Sequence, residues 1–233
     1  MTDAPGEHWP VTPEALGARV EQVWTRVVDA GGDPEAITLV AVTKGFGPEV
    51  ALAAAAAGLG DLGENYAQEL VAKARVVAAE AGAGAVRWHA IGRLQTNKVR
   101  SLAGVVALWQ SIDRAGLGAE VACRAPGAEV LVQVNVSDEV QKGGCAPDDT
   151  ADLVSGLVEL GLVVRGLMTV GRTGTPAEAR AGFARLRGLA DHLDLPVRSM
   201  GMSGDLVAAV AEGATMIRVG RALFGPRPPR DPA

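Results

Sequence analysis

A lysine follows an apolar run near the start of the chain, in the stretch LVAVTKGFGPEV at residues 39–50. The apolar run predicts a buried strand, and the glycines and proline after the lysine predict that the strand stops there. Position alone leaves two interpretations of Lys44. It is structural, either in an ion pair with Glu64 as the candidate partner or as a snorkelling side chain, or it supplies a free amine. Burial favours the free amine, which is the form that attacks an aldehyde.

A second group of residues, near the C-terminal end, has the composition of a phosphate-binding loop. The segments SMGMSGD at 199–205 and RVGRALFG at 218–225 follow two predicted strands. Their glycines let backbone N–H groups approach an anion closely, and Ser203 precedes a predicted helix, where an anion is favoured. The simpler interpretation is that Ser203 only caps that helix. Together, an aldehyde-reactive lysine and a phosphate loop favour pyridoxal 5′-phosphate (PLP) as a cofactor.

Strand and helix signals alternate along the chain and must position both groups. The strands are predicted at residues 36–43, 60–64, 86–92, 105–112, 129–136, 162–170, 196–200 and 215–220. Thr12 is the predicted N-cap of an opening helix with Pro13 at its first position, and Thr175 with Glu178 predicts a capping box for a later helix. Apolar strands separated by helices need parallel pairing with both faces covered.

Eight such units predict an α/β protein with a single (β/α)8 TIM barrel, with a doubly wound open sheet as the alternative. In a barrel of this kind the carboxyl ends of the strands meet at one mouth. Lys44 and the two glycine-rich segments would therefore lie on the same rim. The predicted domain organisation is a flexible N-terminus at 1–12, one barrel domain at 13–225 and a disordered tail at 226–233.

Composition excludes several classes of function. The chain has 233 residues and a net charge of −5. Because it contains no dense run of Lys and Arg, we expect no nucleic-acid partner. We expect no membrane span and no secretory signal, and hence a cytoplasmic protein. The two cysteines form no disulfide framework, and the three histidines have no metal-binding spacing, so no metal site is predicted.

The motifs as a set resemble the YggS/PROSC family of PLP homeostasis proteins. The resemblance runs from about residue 15 to residue 225 and is carried by AVTK ending at Lys44, GENYAQE (63–69), WHAIGRLQTNK (88–98), QVNVSDEVQKGG (133–144), GLMTV (166–170) and SMGMSGD with TMIRVGRALFG. It implies the barrel of the alanine racemase N-terminal domain, PLP fold type III. It also implies PLP held by the strand-one lysine as a Schiff base, in a protein that buffers or delivers PLP and has no established catalysis.

The resemblance also implies which residues form the cofactor site. These are Lys44 as the Schiff-base lysine, Asn65 facing the cofactor, Ser203 and Gly220 at the phosphate, and Arg218 near the pyridine nitrogen. The chain departs from the family at TKGFGPE, where an SKTKP-like form is commoner, and at Gly204, where an aspartate is usual. Both departures put only the shape of the loops in doubt.

A PLP-dependent amino-acid racemase is the alternative function. Arg218 is a permanent cation that cannot accept a proton from the ring nitrogen, which disfavours a protonated intermediate but does not exclude racemisation. Racemisation needs a second base, and the candidates are Tyr66, His89 and Cys145. We expect no second domain, since only residues 226–233 follow the barrel, and we therefore favour the homeostasis protein.

Partners are expected to be PLP itself and, as recipients, PLP-dependent apoenzymes, with the protein a monomer or weak homodimer. A further hypothesis is that the barrel docks on those enzymes to hand over the cofactor. The basic run at 92–100, with Arg93, Lys98 and Arg100, is either a solvated face or a second site for phosphate or free PLP. Glu139 and Lys142, three residues apart, predict an ion pair within a loop.

Overall fold

The computed structural model describes Trp9 and residues 11–137, 139, 142–171 and 175–228. Most of the predicted flexible N-terminus, and the predicted disordered tail from residue 229 onward, lie outside the described residues. Trp9 lies against the body of the protein. Its ring is 4.8 Å from the Arg19 guanidinium carbon, and Gly225 has no room for a Cβ atom because the Trp9 ring occupies that space.

Eight parallel strands form a closed barrel, in which each strand pairs with the next and β8 pairs with β1. This confirms the (β/α)8 prediction, and the open doubly wound alternative is wrong. Each strand is shorter than its predicted span by one to three residues. The strands are β1 Thr38–Val42, β2 Asp61–Glu64, β3 Arg87–Ala90, β4 Val106–Ile112, β5 Glu129–Gln133, β6 Val163–Met168, β7 Val197–Ser199 and β8 Met216–Val219.

Helices cover the outside of the barrel. In the described part they are α1 Pro13–Asp29, α2 Pro48–Ala56, α3 Ala67–Glu80, α4 Val99–Leu102, α5 Ala115–Arg124, α6 Thr150–Glu159, α7 Pro176–His192, α8 Leu206–Ala211 and α9 Arg221–Phe224. The predicted caps at Thr12 and Thr175 are confirmed, the latter as a complete capping box with Glu178. The predicted cap at Ser203 is wrong, because a turn delays the start of α8 until after Asp205.

The core has two parts, one between the helices and the barrel wall and one inside the barrel. The inner part is a small apolar cluster of Val40, Leu108, Leu131, Met168 and Met216. Buried polar side chains from β3, β4, β7 and β8 share this interior. The barrel is therefore filled and is not a pore, as expected for eight strands.

Helix α1, on the outside of the barrel, is bonded to the segments that follow β7 and β8. Its buried residues Leu16, Val23 and Val27 face the core. Arg19 donates a hydrogen bond to the carbonyl oxygen of Leu223 at 2.7 Å, and Arg26 donates one to that of Ser203 at 3.0 Å. The loops that follow β7 and β8 are thus held from outside the barrel by the first helix.

The barrel wall makes a specific stability prediction at Gly166. A Cβ atom there would lie 2.0 Å from the carbonyl oxygen of Val197 on β7, whereas Gly156 in α6 has open space. We expect Gly166→Ala to lower the free energy of unfolding by about 3 kcal/mol through overpacking. Gly156→Ala should raise it by about 0.5 to 1 kcal/mol through helix propensity. Denaturant unfolding of the two variants checks this, and equal effects would contradict it.

Candidate functional site

Lys44 lies in the turn after β1, two residues beyond its last residue, Val42, and its side chain is partly buried. Burial lowers the pKa of Lys44, and the cations of Arg227 and Arg218 lower it further, while Glu64 acts in the opposite direction. Within the described part of the chain, no ion pair or side-chain hydrogen bond holds its amine. The interpretation of Lys44 as an ion-pair partner of Glu64 is therefore wrong.

Glu64 is engaged by a different lysine. Lys73 of α3 approaches the Glu64 Oε1 atom at 2.5 Å, and both side chains are almost fully buried. Thr43 donates its hydroxyl to the same oxygen at 2.6 Å. Burial raises the pKa of Glu64, and Lys73 and Thr43 oppose that rise. The carboxylate is thus committed to α3 and the β1 end, which leaves the Lys44 amine without a partner.

Helix α3 fixes the backbone on both sides of Lys44. Lys73 donates to the carbonyl oxygen of Thr43 at 2.8 Å, and Glu69 accepts a hydrogen bond from the N–H of Gly45 at 2.8 Å. Glu69 and Lys73 are four residues apart, so they lie on the same face of the helix. Gly45 has a φ of +77°, a conformation that favours glycine. The Lys44 backbone is therefore held firmly while its amine stays free.

Arg218 on β8 is a buried cation with 4% of its surface exposed. It donates to the Ser199 hydroxyl and to the carbonyl oxygen of Thr169, each at 2.7 Å. Burial lowers the pKa of Arg218 to about 10, while Asp205 acts in the opposite direction, so the group is still a cation at neutral pH. Two bonds leave further donors of the five-donor guanidinium for a ligand acceptor.

A chain of hydrogen bonds crosses the barrel interior behind Arg218. Ser199 donates to the Gln110 side-chain oxygen at 2.7 Å, Gln110 donates to the His89 Nδ1 atom at 2.7 Å, and His89 Nε2 faces Asp61 at 2.8 Å. An amide nitrogen only donates, so His89 Nδ1 must accept and Nε2 carries the proton. Each partner therefore fixes the orientation of the next, from Asp61 at the start of β2 to Arg218.

Ser203 and Gly220 meet beside the end of β1. Ser203 Oγ accepts a hydrogen bond from the N–H of Ala222 at 3.1 Å, so the Ser203 proton remains available to an anion. A Cβ atom on Gly220 would lie 3.1 Å from the carbonyl oxygen of Val42. The loop after β8 is thus packed against the strand that leads to Lys44.

The predicted site residues are distributed around one end of the barrel. Lys44, Arg218 and Gly220 are on or next to the paired strands β1 and β8, and Ser203 bonds to α9, which directly follows Gly220. Asn65 follows the neighbouring strand β2, where its backbone packs against Gly92. Their shared role in holding a cofactor stays a prediction at this point.

Sequence reasoning missed the residues that support this site. Lys73 falls on the same face of α3 as the buried Leu70 and Val77, and a lysine on an apolar face is a signal for an internal partner. Gln110 follows the apolar run Val106–Trp109 within β4, which is a comparable signal, whereas Ser199 ends the short polar strand β7 and gave none. The loop ion pair between Glu139 and Lys142 is confirmed at 2.5 Å.

Metal-binding clusters and membrane-spanning helices are both absent from the described ranges. In them, His, Cys, Asp and Glu side chains nowhere gather in the groups of three that would hold a metal ion. None of the helices in these ranges combines the length and apolar character needed to cross a bilayer.

The fold and the site define a class of protein, the (β/α)8 barrels with a free lysine amine after the first strand and a buried arginine on the last. The sequence profile described as "Alanine racemase, N-terminal domain" matches residues 18–228. The chain is 42% identical over 206 residues to a pyridoxal phosphate homeostasis protein of Pseudomonas aeruginosa, covering 85% of this chain and 88% of that protein. It is 38% identical over 226 residues to one of Aquifex aeolicus, covering 92% and 97%.

A solved structure agrees with these relatives. PipY of Synechococcus elongatus, determined with PLP bound, is 32% identical and superposes with a TM-score of 0.79 over 90% of this chain and 100% of that one. The chain therefore belongs to the family of the pyridoxal phosphate homeostasis proteins, within the alanine racemase N-terminal domain family. The resemblance drawn from the motifs is confirmed.

The cations around Lys44 make a testable prediction about its pKa. Arg227 is exposed and helps to lower the pKa of Lys44, so Arg227→Gln should raise that pKa. The pH at which Lys44 becomes half-maximally reactive should then move upward. The check is the rate at which a small aldehyde with borohydride labels the Lys44 peptide, over buffers from neutral to alkaline. Arg221→Gln, which removes an exposed cation that does not act on Lys44, should leave the profile unchanged.

The polar chain predicts a cost for losing Ser199. Ser199→Ala leaves one Arg218 donor and the Gln110 oxygen without a partner in a buried setting. We expect the free energy of unfolding to fall by about 2 to 3 kcal/mol. Ser155→Ala, at an exposed position of α6, should change it by less than about 0.5 kcal/mol. Urea unfolding measures both free energies. A loss for Ser199→Ala as small as that of the control would show that the hydrogen bonds of Ser199 contribute nothing to stability.

Proposed function

We propose that the protein binds PLP and acts in intracellular PLP homeostasis, as a carrier that buffers or delivers the cofactor without catalytic turnover. One observation carries the proposal: the unpaired amine of Lys44, with a lowered pKa, at the mouth of a barrel whose relatives include PLP homeostasis proteins. The other lysines are Lys73, Lys98 and Lys142. Lys73 and Lys142 are ion-paired, and Lys98 lies on the loop before α4.

The residues around Lys44 fit this cofactor. Ser203 has a free hydroxyl proton, and Gly220 brings backbone close to the end of β1, which suits a phosphate group. Arg218 has spare donors and no carboxylate within ion-pair distance in the described chain, which suits a neutral pyridine nitrogen as acceptor. Asn65 completes the proposed set on the β2 side. The five residues are assigned as binding residues, with none assigned to catalysis.

Lys44 performs the covalent step in this proposal. Its neutral amine adds to the aldehyde carbon of PLP, and the aldehyde oxygen leaves as water, giving the Schiff base. When bound, PLP would supply an electron-withdrawing pyridine ring. Protonation of the ring nitrogen would strengthen this electron withdrawal, and Arg218 does not give up a proton to that nitrogen. The lowered pKa of Lys44 favours the reactive form of the amine at neutral pH.

The state of the candidate second bases supports a carrier over a racemase. His89 is fully buried, and both of its ring nitrogens are hydrogen-bonded, so it is not free to move a proton at the mouth. Burial raises the pKa of Cys145, which keeps the thiol protonated. Tyr66 is 43% exposed at the start of α3. None of the three side chains is therefore placed and ionised as a base that removes a proton from a substrate must be.

The proposal extends to partners and location. We assign the barrel domain to residues 13–225, place the protein in the cytoplasm and take it to act as a monomer or weak homodimer. PLP-dependent apoenzymes are the proposed recipients. Cofactor transfer that is faster than free dissociation would support direct docking on those enzymes, whereas equal rates would show that release alone delivers PLP.

The visible absorbance spectrum of the purified protein with added PLP tests the binding proposal. The wild type should show the band of the lysine-bound cofactor, and Lys44→Ala should lack it. Lys142→Arg, which keeps the charge but removes an amine, should retain the band. A band in Lys44→Ala equal to the wild type, or no band in any protein, would overturn the proposal.

A separate assay tests the absence of turnover. Purified protein with PLP is incubated with L- or D-amino acids, and the opposite enantiomer is measured. We expect no interconversion above the rate of PLP alone. Interconversion at an enzymatic rate that Lys44→Ala abolishes would make the protein a racemase.

A further inference from the structure

A cavity of about 600 Å³ opens at the mouth between the loop after β2 and the loop after β3. Its size falls in the range of about 300 to 1,000 Å³ that is typical of small-molecule sites. Besides Tyr66 and Asp113, the polar side chains that line it are Asn65, Gln68, Arg93, Gln95, Lys98 and Arg114. The lining is rich in hydrogen-bond donors, which suits an anion.

The charge of this cavity is opposite to that of the chain. Arg93, Lys98 and Arg114 face one lining carboxylate, Asp113, in a protein with a net charge of −5. Arg114 is bound to Asp113 at 2.6 Å and donates to the carbonyl oxygen of Leu94 at 3.1 Å, so it forms part of the wall. Arg93 and Lys98 have no ion-pair or hydrogen-bond partner for their side chains among the described residues. Two cations are therefore available to a ligand.

The start of helix α3 adds backbone donors to the same cavity. Ala67 and Gln68, the first two residues of this 14-residue helix, line it, and the N-cap residue Tyr66 provides no side-chain cap. The first N–H groups of a helix have no intrahelical partners and favour an anion. Glu69, the acidic residue of the first turn, is engaged with the N–H of Gly45. The helix start is thus an anion-favouring element beside two unpaired cations.

We propose that this cavity is a second anion site, which binds small phosphate-bearing molecules without using Lys44. Phosphate oxygens accept several charge-assisted hydrogen bonds at once, and an arginine, a lysine, amide groups and helix N–H groups are the donors that bind them. The concave arrangement decides against a merely solvated basic face, because Arg93 and Lys98 line the same half-open cavity together with the start of α3. The site goes beyond the proposed function, which does not require it.

Chemical-shift titration of the ¹⁵N-labelled protein with inorganic phosphate, and then with pyridoxine 5′-phosphate, tests the site. Pyridoxine 5′-phosphate has no aldehyde and cannot react with Lys44. The test variant is Arg93→Gln with Lys98→Gln. The control is Arg75→Gln with Arg100→Gln, which removes the same charge from exposed positions outside this cavity. The signals followed are the amides of residues 67–68 and 94–98.

We expect these amides to shift and saturate in the wild type and control, with affinity at least about tenfold weaker in the test variant. Tighter binding of the ester than of phosphate would identify an organic phosphate as the ligand, and equal binding would identify free phosphate. Three outcomes would overturn the proposed site: chemical-shift changes confined to residues 201–222, no chemical-shift changes at all, or equal affinities in the two double variants.

The absorbance band of Lys44-bound PLP, recorded on the same samples, separates the two proposals. It should survive in the test variant, because neither Arg93 nor Lys98 belongs to the proposed Lys44 site. Loss of the band in every sample, with phosphate binding at residues 67–98 retained, would remove the proposed function and leave the second site standing.

Discussion

The hydrogen-bonded closure of β8 onto β1 is the constraint on which the rest of the structure depends. It pairs Thr38 to Ala41 with Met216 to Val219 and turns a linear series of strand–helix units into a ring. The same pairing places the residue groups that follow the first and last strands side by side at one mouth. Lys44 and Gly220 are far apart in the sequence, and only this closure makes them neighbours. The same strand order without the pairing of β8 with β1 would leave them at opposite edges of an open sheet.

The charge state of the mouth depends on which lysine forms the ion pair with the buried Glu64 carboxylate. Glu64 carries a negative charge in an apolar setting and needs a close cation. Lys73 supplies it from α3, and Thr43 completes the interaction. Lys44 is then surrounded by the cations Arg218 and Arg227 and by partial burial, which all favour its neutral form. Had Glu64 paired with Lys44, the amine would be held as an ammonium ion and its nucleophilic chemistry would be lost.

The sequence predicted the barrel, the order of its elements and the place of Lys44, because those features depend on local periodicity and on turn chemistry. It did not predict that Glu64 would pair with Lys73, since that choice depends on how far α3 reaches over the end of β1. The link from Gln110 to Ser199 joins residues 89 positions apart and depends on barrel geometry. Ser203 was misplaced as the cap of α8 because a turn delays that helix until after Asp205, and its hydroxyl oxygen instead accepts a hydrogen bond from the N–H of Ala222 in α9. Local signals carry no information about such choices.

The docking of α1 has a consequence for how the chain is made. Arg19 and Arg26 reach carbonyl groups that lie 204 and 177 residues later, so the mouth loops gain this support only when almost the whole chain has been synthesised. Until then the apolar face formed by Leu16, Val23 and Val27 lacks α8 and α9, two of the helices that pack against α1. Long-range contacts of this kind slow folding and expose apolar surface during synthesis. Helix α1 is synthesised before all eight strands and is thus among the last helices to be secured.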